Sequence, residues 1–300
     1  MAGKGQQFTS GKTLLFVIVL CFTCALVLSV LADVLRQPQL DARELYKSKQ
    51  LLRAAAILSD ENVFLLNDTF ASYDRSKGTL IPTPSQKERA RDRDILTLFE
   101  TRILARVTND TGQVLTFEQA GLDEEAYLRD HAKYGFANLP YKLVYIVQPN
   151  LPPNQLSPDL LPYGYVIPIN GYGLWDAIYG YLGLKADADT VLGMTWYDQK
   201  ETPGLGGNIV LPEWQNQFKN KVIFQKSPSG TTDYARAPLG IKVVKTTVQE
   251  TYGKTAPAAS AVDGIAGASI TVVGVNEALR NSLGPYRPFL IQAHQQEASQ

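Results

Sequence analysis

The chain has 300 residues, of which 45% are hydrophobic, and its 29 lysines and arginines balance its 29 aspartates and glutamates. That apolar content is enough to build a core, so we expect a folded body rather than a disordered chain. The even charge balance argues against a nucleic-acid-binding surface, and we expect no nucleic acid as a partner.

A long apolar segment near the N-terminus, residues 13–32, contains no charged side chain. A helix rises about 1.5 Å per residue, so a helix of this length matches the ~30 Å hydrocarbon core of a lipid bilayer. We therefore predict one transmembrane helix there. A cleaved signal peptide is the alternative, but the apolar segment is longer than the usual h-region of a signal peptide.

The charges that flank this segment predict its orientation. Lys4 and Lys12 precede it without any acidic residue, and positively charged flanks stay on the cytoplasmic side. We therefore expect residues 1–12 to be a cytoplasmic tail in a protein of the bacterial inner membrane. The chain from Asp33 onward is then expected to lie in the periplasm.

Reactive side chains are few. Cys21 and Cys24 are the only cysteines, and both lie inside the apolar segment, where they would pack as small hydrophobic residues. His131 and His294 are the only histidines, and neither has the spacing of a metal ligand. We interpret His131 as a solvated helix residue and His294 as part of a frayed tail. The sequence predicts no metal site and no catalytic side chain, so a redox function would need an organic cofactor.

Residues 33–140 are predicted to form a helical connecting or accessory region. One amphipathic helix is expected over "LDARELYKSKQLLRAAAILSD", where Asp41 and Glu44 have the spacing of a capping box. A second helix with one solvated face is expected over residues 87–106. These helices are expected to connect and pack rather than to carry chemistry.

Residues 141–290 have a different sequence pattern, in which short runs of residues with high β propensity are separated by turn-forming residues. We predict an α+β domain there, with an antiparallel sheet and flanking helices, and a flexible tail over residues 291–300. The predicted strands are "YKLVYIVQ", "GYVIPIN", "TVLGMTWYDQ", "KVIFQKS" and "IKVVKTT".

Three glycine-bearing segments stand out in this domain. The first is "PINGYGLWDAIYGY", residues 168–181, interpreted as a strand that turns into an aromatic-rich helix. The second is "KETPGLGG", residues 200–207, where Pro203 and Gly204 form a strong turn signal. Taken alone, each segment is as typical of a simple turn as of a binding site.

The third segment is "DGIAGASIT", residues 263–271. Its small residues let backbone N–H groups approach a ligand, and a helix is predicted to follow and to end at Leu283, before Gly284 and Pro285. Orphan N–H groups and the positive end of the helix dipole favour an anionic phosphate there. Local physics alone favours Thr271 as a helix cap.

The third segment resembles the flavin-attachment motif Asp-Gly-x-Ser-Gly-Ala-Thr-x-Thr, whose last threonine is esterified by the phosphate of FMN. Thr271 matches that threonine, Ala266 replaces the commoner serine, and Ser269 stands where threonine is usual. Both replacements are small and preserve close backbone approach. The residues that match the motif directly before this helix are Asp263, Gly264, Gly267 and Ala268.

The other two segments, "GYGLWDAIYG" and "ETPGLGG", resemble the remaining motifs of covalent FMN-binding domains, in the expected order. Together with a single N-terminal membrane helix, the chain is similar to the C-subunit family of the sodium-translocating NADH:quinone oxidoreductases. The close resemblance covers roughly residues 163–283, whereas residues 33–141 match only in general layout.

The resemblance implies an electron-transfer subunit that carries FMN on Thr271 in a membrane complex that oxidises NADH, reduces quinone and pumps Na⁺. It implies partner subunits, the lipid bilayer and, during maturation, a flavin transferase that uses FAD. Thr202 is a possible hydrogen-bonding group, and Leu174 and Trp175 would pack against the flavin. Glu201 would either repel a reduced flavin or bind a neighbouring loop. The implied cofactor-binding residues are Leu174, Trp175, Glu201, Thr202, Pro203, Gly204, Leu205, Gly206, Asp263, Gly264, Gly267, Ala268, Ser269 and Thr271.

Two alternatives remain open. One is the homologous covalent-flavin subunit of the ion-translocating ferredoxin:NAD oxidoreductase, which is generally shorter, so the region before Tyr141 favours the quinone oxidoreductase. The other is a membrane-anchored periplasmic binding or assembly module in which the glycine-rich segments are only turns and no flavin is bound.

Overall fold

The computed structural model describes residues 10–157 and 160–299 and divides into two compact units, residues 1–46 and 47–300. Most of the predicted cytoplasmic tail, including Lys4, lies outside the described residues. The helices are α1 Ser10–Ala54, α2 Asp92–Arg102, α3 Glu124–His131, α4 Pro212–Gln215, α5 Val248–Thr251, α6 Ser269–Leu283 and α7 Arg287–Ala298. The strands are β1 Phe64–Leu66, β2 Thr69–Asp74, β3 Thr79–Pro82, β4 Ile103–Thr108, β5 Val114–Leu115, β6 Lys142–Val147, β7 Gly164–Tyr172, β8 Ala177–Lys185, β9 Val191–Asp198, β10 Lys242–Val243 and β11 Ala261–Val262.

The first unit is the larger part of α1, whose apolar segment is exposed along its length. From Gly11 onward this helix is long and apolar enough to cross a membrane, with a mean hydropathy of 3.1 in its most apolar window. Cys21 and Cys24 are exposed and unpaired in this segment. An uninterrupted apolar helix with exposed side chains fits the predicted membrane anchor.

The separate amphipathic helix predicted to start at Asp41 does not exist, because α1 continues without a break to Ala54 and even contains Pro38. Asp41 caps nothing. Its carboxylate accepts a hydrogen bond from the side chain of Gln37 one turn earlier, at 2.8 Å. Asp41 and Glu44 thus lie inside a longer helix, and the side-chain contact of Asp41 is the i,i+4 pair with Gln37.

The second unit is built on a six-stranded antiparallel sheet with the strand order β5-β4-β6-β7-β8-β9. The predicted α+β class and antiparallel sheet are confirmed. The sheet also extends before residue 141, where the FMN-binding domain was predicted to begin, because β4 and β5 precede that residue and pair into the same sheet. Residues 103–106, assigned to a helix from the sequence, form part of β4, and α2 ends where buried Arg102 donates to the carbonyl of Gln148 at 2.6 Å.

The aromatic-rich segment after Trp175 is strand β8, not the predicted helix. It pairs with β7 along its whole length, with Ile169 opposite Gly180 and Gly171 opposite Ile178. The short turn 173–176 reverses the chain, and Gly173 donates to the carbonyl of Asp176 at 2.9 Å. The glycines of this segment therefore serve a β-hairpin.

Helices α6 and α7 cover one face of the sheet and complete the main core. Alternate residues of β7, including Ile167 and Ile169, pack in one apolar cluster with Val275 and Leu279 of α6 and Leu290 of α7. A second, smaller cluster joins β4 to α3 around Tyr127. Two minor sheets, antiparallel β1-β2-β3 and parallel β10-β11, lie outside the main sheet.

The predicted C-terminal tail is ordered as helix α7 up to Ala298. Apolar burial fixes it, because Ala293 lies in the core and the ring of His294 stacks on Tyr234 with centroids 4.3 Å apart. The Nδ1 of His294 also lies 2.8 Å from the carbonyl of Asp187. These long-range contacts were not visible in a polar local sequence.

Close packing between α6 and β7 sets the position of the first turn of α6. A Cβ added at Gly274 would lie 2.1 Å from the carbonyl oxygen of Tyr172, and one at Gly171 would lie 2.5 Å from the Cβ of Ala278. Farther along, the Ser282 hydroxyl bonds the backbone N–H of Asn170 at 3.1 Å. These contacts therefore fix both the distance between α6 and β7 and the position of α6 along the strand.

We expect Gly274→Ala to force α6 away from β7 and to lower the free energy of unfolding by about 1–3 kcal/mol, the usual cost of overpacking. Glu277→Ala is the control on the same helix, because Glu277 lies on the exposed face of α6, where a substitution usually changes the free energy of unfolding by no more than about 0.5 kcal/mol. Chemical unfolding followed by circular dichroism measures both. Equal stability of the two variants would contradict the packing argument.

Candidate functional site

The site is centred on a hydrogen bond between two side chains far apart in sequence. Thr271, in the first turn of α6, donates its hydroxyl to Oε2 of Glu201. Both residues are buried, with 2% of Thr271 and 4% of Glu201 exposed. The other oxygen, Oε1 of Glu201, accepts from the backbone N–H of Trp175 at 2.9 Å. One carboxylate thus joins α6 to the β7–β8 turn.

The Glu201 carboxylate is held in its ionised form. Burial by itself raises the pKa of this group, since it disfavours the charged state. Hydrogen bonds donated by the Thr271 hydroxyl and by the backbone N–H groups of Trp175 and Leu174 outweigh that effect and lower the pKa below its ordinary value of 4.5. Glu201 therefore binds the neighbouring turn and is negatively charged at neutral pH.

Further contacts tie the loop after β9 to the same turn. The indole Nε1 of Trp175 donates to the Thr202 hydroxyl at 3.0 Å, and Lys200 pairs with Asp176. Within the loop, Leu205 donates to the carbonyl of Thr202 at 3.1 Å. The first two glycine-bearing segments therefore form one connected rim around Glu201.

Two glycines leave the room that the carboxylate occupies. A Cβ at Gly206 would lie 2.3 Å from the Thr271 hydroxyl oxygen and 2.7 Å from Oε2 of Glu201, and one at Gly173 would lie 2.5 Å from Oε1. Real Cβ atoms do not approach so closely in packed interiors. The absence of side chains at these two positions is therefore a geometric condition for the Glu201–Thr271 contact.

The third segment approaches α6 as a compact loop. Asp263 anchors it, because its carboxylate accepts from the N–H of Val248 at 2.7 Å. Gly264 lies against backbone, where a Cβ would be 2.3 Å from the carbonyl oxygen of Val244. Gly267 adopts φ +74, a left-handed conformation that favours glycine. The loop therefore turns sharply before the helix starts.

The helix start offers an anion site. Ala268 is the N-cap residue and supplies no side-chain hydrogen bond, so N–H groups of the first turn have no intrahelical acceptor and the positive end of the helix dipole faces the loop. The Thr271 hydroxyl is engaged with Glu201 instead of capping the helix. Unpaired N–H groups, little side-chain bulk and a hydroxyl are a donor set that suits a phosphate ester.

A pocket of about 260 Å³ opens at this helix start. Large apolar side chains stand exposed beside it, among them Leu174 (47%), Trp175 (67%), Leu205 (42%) and Ile270 (59%). The residues that line the pocket are Leu174, Glu201, Thr202, Leu205, Gly206, Gly267, Ala268, Ser269, Ile270 and Thr271. All three segments identified from the sequence thus meet at one place.

Not every predicted site residue lines this pocket. Asp263 and Gly264 hold the loop from behind, Pro203 and Gly204 shape the exposed turn, and Trp175 stands beside the rim. Sequence reasoning missed Ile270, which occupies a variable position of the attachment motif and so carried no signal. It also missed Gly173 as a contact of Glu201, which no local pattern reveals.

Residues 173–284 match the family of FMN-binding domains. A curated relative from Chlamydia muridarum, the C subunit of the Na(+)-translocating NADH-quinone reductase, is 35% identical, with 97% of this chain and 95% of the relative covered. The protein of the same name from Chlamydia pneumoniae is 36% identical over 92% of this chain and 90% of its own. The chain belongs to the C-subunit family of the Na(+)-translocating NADH-quinone reductases.

A solved structure agrees with this assignment. The crystal structure of the C subunit of the Na(+)-translocating NADH-quinone reductase from Parabacteroides distasonis is 25% identical and covers 85% of this chain and 96% of its own, with a TM-score of 0.53. The C-subunit family expected from the three segments is thereby confirmed. The part of this chain that matches FMN-binding domains begins at Gly173 and ends at Gly284, so it contains the Glu201 loop and the start of α6.

The described residues contain no group of three or more His, Cys, Asp or Glu side chains that could hold a metal ion. His131 lies at the end of α3 with its ring 4.9 Å from that of Tyr127, and His294 packs on Tyr234 from α7. Neither histidine lines the pocket beside Thr271. Within the pocket, the ionisable side chain is Glu201.

The lowered pKa of Glu201 predicts a pH-dependent contribution to stability. Because the folded-state pKa lies below the unfolded value, the ionised carboxylate stabilises the fold above the unfolded pKa, and this contribution is lost as pH falls through the folded pKa. We expect the difference in unfolding free energy between wild type and Glu201→Gln to be largest above about pH 5 and to shrink below about pH 4.

Chemical unfolding at a series of pH values measures this difference. Glu213→Gln is the matched control, because Glu213 lies on α4 away from the pocket, and its difference from wild type should stay near zero. A Glu201→Gln difference that stays constant over the whole range would show that ionisation of this carboxylate does not stabilise the fold.

Proposed function

We propose that this chain carries FMN in a phosphoester bond to Thr271 and transfers electrons within a membrane complex that oxidises NADH, reduces quinone and translocates Na⁺. The observation that carries the proposal is the position of the Thr271 hydroxyl. It lies in the pocket at the start of α6, beside a buried carboxylate and inside the match to FMN-binding domains.

The residues around Thr271 suit the two ends of FMN differently. The first-turn N–H groups of α6 would bind the phosphate, an interaction that contributes about 0.3–1 kcal/mol for an anion at a helix start. The exposed side chains of Leu174, Trp175 and Leu205 would contact the apolar part of the flavin. When bound, FMN supplies one- or two-electron transfer, and the protein orients it and sets its potential.

The wider role follows from the family. The relatives are named as one subunit of a sodium-translocating NADH-quinone reductase, so we infer that other subunits of such a complex exchange electrons with this chain. The cysteines lie in the apolar segment of α1, and neither is among the residues that line the pocket at Thr271. The chain would act as an electron carrier and would not be active alone.

We further propose that α1 anchors the chain in the bacterial inner membrane with residues 47–300 in the periplasm. The apolar exposed helix and the preceding Lys12 support this orientation. Trypsin added to intact spheroplasts is expected to digest this chain and to spare a cytoplasmic marker protein. Digestion only after the spheroplasts are lysed would contradict the orientation.

The attachment is tested by mass. Co-expressed with a flavin transferase, the wild-type chain should gain the mass of FMN less one water and fluoresce on a denaturing gel, because the ester survives unfolding. Thr271→Ala should lose both signals. Thr251→Ala is the matched control, since Thr251 is an exposed helical threonine whose hydroxyl bonds the carbonyl of Thr247 at 2.9 Å, and it should keep both.

Two outcomes would contradict the proposal. Covalent flavin that persists in Thr271→Ala, for example on the peptide that contains Ser269, would show that another hydroxyl is the acceptor. A wild-type chain that gains no mass in the presence of active transferase would favour a binding module without flavin.

A further inference from the structure

The partner of the Thr271 hydroxyl has chemical consequences of its own. The Thr271 hydroxyl donates its hydrogen bond to Oε2 of Glu201. The proton in that hydrogen bond is the one that Thr271 must lose if its oxygen is to form an ester. The hydroxyl and the carboxylate are both largely removed from solvent, with 2% of Thr271 and 4% of Glu201 exposed. The acceptor atom for the departing proton is thus already in contact with the reacting oxygen.

Apart from the Thr271 hydroxyl, the hydrogen-bond donors to Glu201 are the backbone N–H groups of Leu174 and Trp175 in the β7–β8 turn. Oε1 is occupied by the N–H of Trp175. Lys200, the adjacent residue in the chain, pairs with Asp176 instead. None of the ion pairs between described residues includes Glu201. The negative charge of this carboxylate is therefore stabilised by hydrogen-bond donors and is not neutralised by a cation.

We propose that Glu201 is the general base for the attachment of FMN to Thr271, an inference that rests on the proposed function. As the Thr271 oxygen forms its bond to the FMN-side phosphorus of FAD, its O–H bond breaks and the proton passes to Oε2 of Glu201. The phosphoanhydride bond of FAD breaks, and AMP leaves. The products are the Thr271–FMN phosphodiester and AMP, and no electron is transferred.

The proton affinity of Glu201 changes in the direction that this step needs. Before attachment, the Thr271 hydroxyl donates a hydrogen bond that stabilises the carboxylate. Attachment removes that donor and brings a phosphodiester, whose negative charge lies on its non-bridging oxygens, next to the carboxylate, and both changes favour the protonated acid. Meanwhile the N-terminus of α6 stabilises negative charge that develops on the phosphate.

Two glycines next to the carboxylate fix the position of Glu201 relative to Thr271. This positioning is separate from any recognition of the chain by a transferase. Gly206 and Gly173 each lie where a Cβ would overlap a carboxylate oxygen of Glu201. The pair of oxygens is therefore enclosed on two sides, with Thr271 in contact with one of them. This enclosure fixes the direction of proton transfer.

The experiment compares rates of attachment, not activity of the finished complex. Full-length chain, purified in detergent from cells without flavin transferase, is mixed with purified transferase and FAD. Intact mass and in-gel flavin fluorescence give kcat and KM for the acceptor chain. Glu201→Gln keeps the size of the side chain and an acceptor oxygen but cannot take the proton. We expect its kcat to fall by about 10²–10⁴-fold with KM unchanged.

Glu213→Gln, a carboxylate-to-amide change on α4 outside the pocket, is the matched control and should attach FMN at the wild-type rate. A kcat of Glu201→Gln within tenfold of wild type would overturn the proposal. A loss confined to KM would also overturn it, because Glu201 would then serve recognition by the transferase. If wild type itself gains no FMN, the proposed function fails and not merely the role of Glu201.

A second variant decides the matter if Glu201→Gln alters the near-ultraviolet circular dichroism that reports the fold. Glu201→Ala opens space for a small carboxylate beside Thr271. Added formate should then raise its attachment rate at least tenfold, whereas formate should not change the wild-type rate. Absence of rescue would count against proton transfer to a carboxylate at this position.

Discussion

The buried carboxylate of Glu201 is the contact on which the geometry of the site depends. Its partners, Trp175 and Thr271, lie 26 and 70 residues away in the chain, in a β-turn and in a helix. Taking an ionised carboxylate out of water is costly unless hydrogen bonds replace those of water. All the donors must therefore be in place together, and the three segments form the site cooperatively.

Because the site forms cooperatively, glycine is required for steric reasons at some positions, whereas at others it is favoured only by the backbone conformation. At Gly206 and Gly173 a side chain would occupy the space of the carboxylate, and at Gly274 it would separate α6 from β7. At Gly204, by contrast, nothing lies within 4 Å, and φ of +77 alone favours glycine. The small residues that suggested a phosphate site thus have separate functions, and only some of them face the pocket.

The sequence predicted the parts of this arrangement that depend on local patterns. The helix after the third segment starts three residues before its predicted start, and it ends at Leu283 as predicted, because Gly284 and Pro285 mark its end and apolar spacing marks its buried face. The aromatic segment after Trp175 was assigned to a helix wrongly. Its β conformation is fixed by pairing with β7 and β9. Such pairing cannot be inferred from the local sequence pattern.

The same limit applies to the site. Thr271 was identified because a known motif surrounds it, whereas the role of Glu201 remained open between repelling a flavin and binding a loop. Both of its partners are brought to it by tertiary packing, so no spacing in the sequence could select them. The order of α7 was missed for the same reason, since polar residues such as Gln295 conceal contacts made by Leu290 and Ala293.

The shape of the pocket gives a physical reason for a covalent tether. Sites that hold a ligand without a covalent bond usually enclose most of its surface in about 300–1,000 Å³. The pocket at Thr271 is smaller, about 260 Å³, and the apolar side chains beside it stay exposed. A flavin attached there would have its phosphate held at α6 and its ring against Leu174, Trp175 and Leu205, open to one side. Such openness would weaken reversible binding, but it would leave a ring edge accessible to a partner's electron carrier.

The proposed phosphoester satisfies both requirements, retention of the flavin and access to its ring, because retention of the cofactor no longer depends on enclosing it.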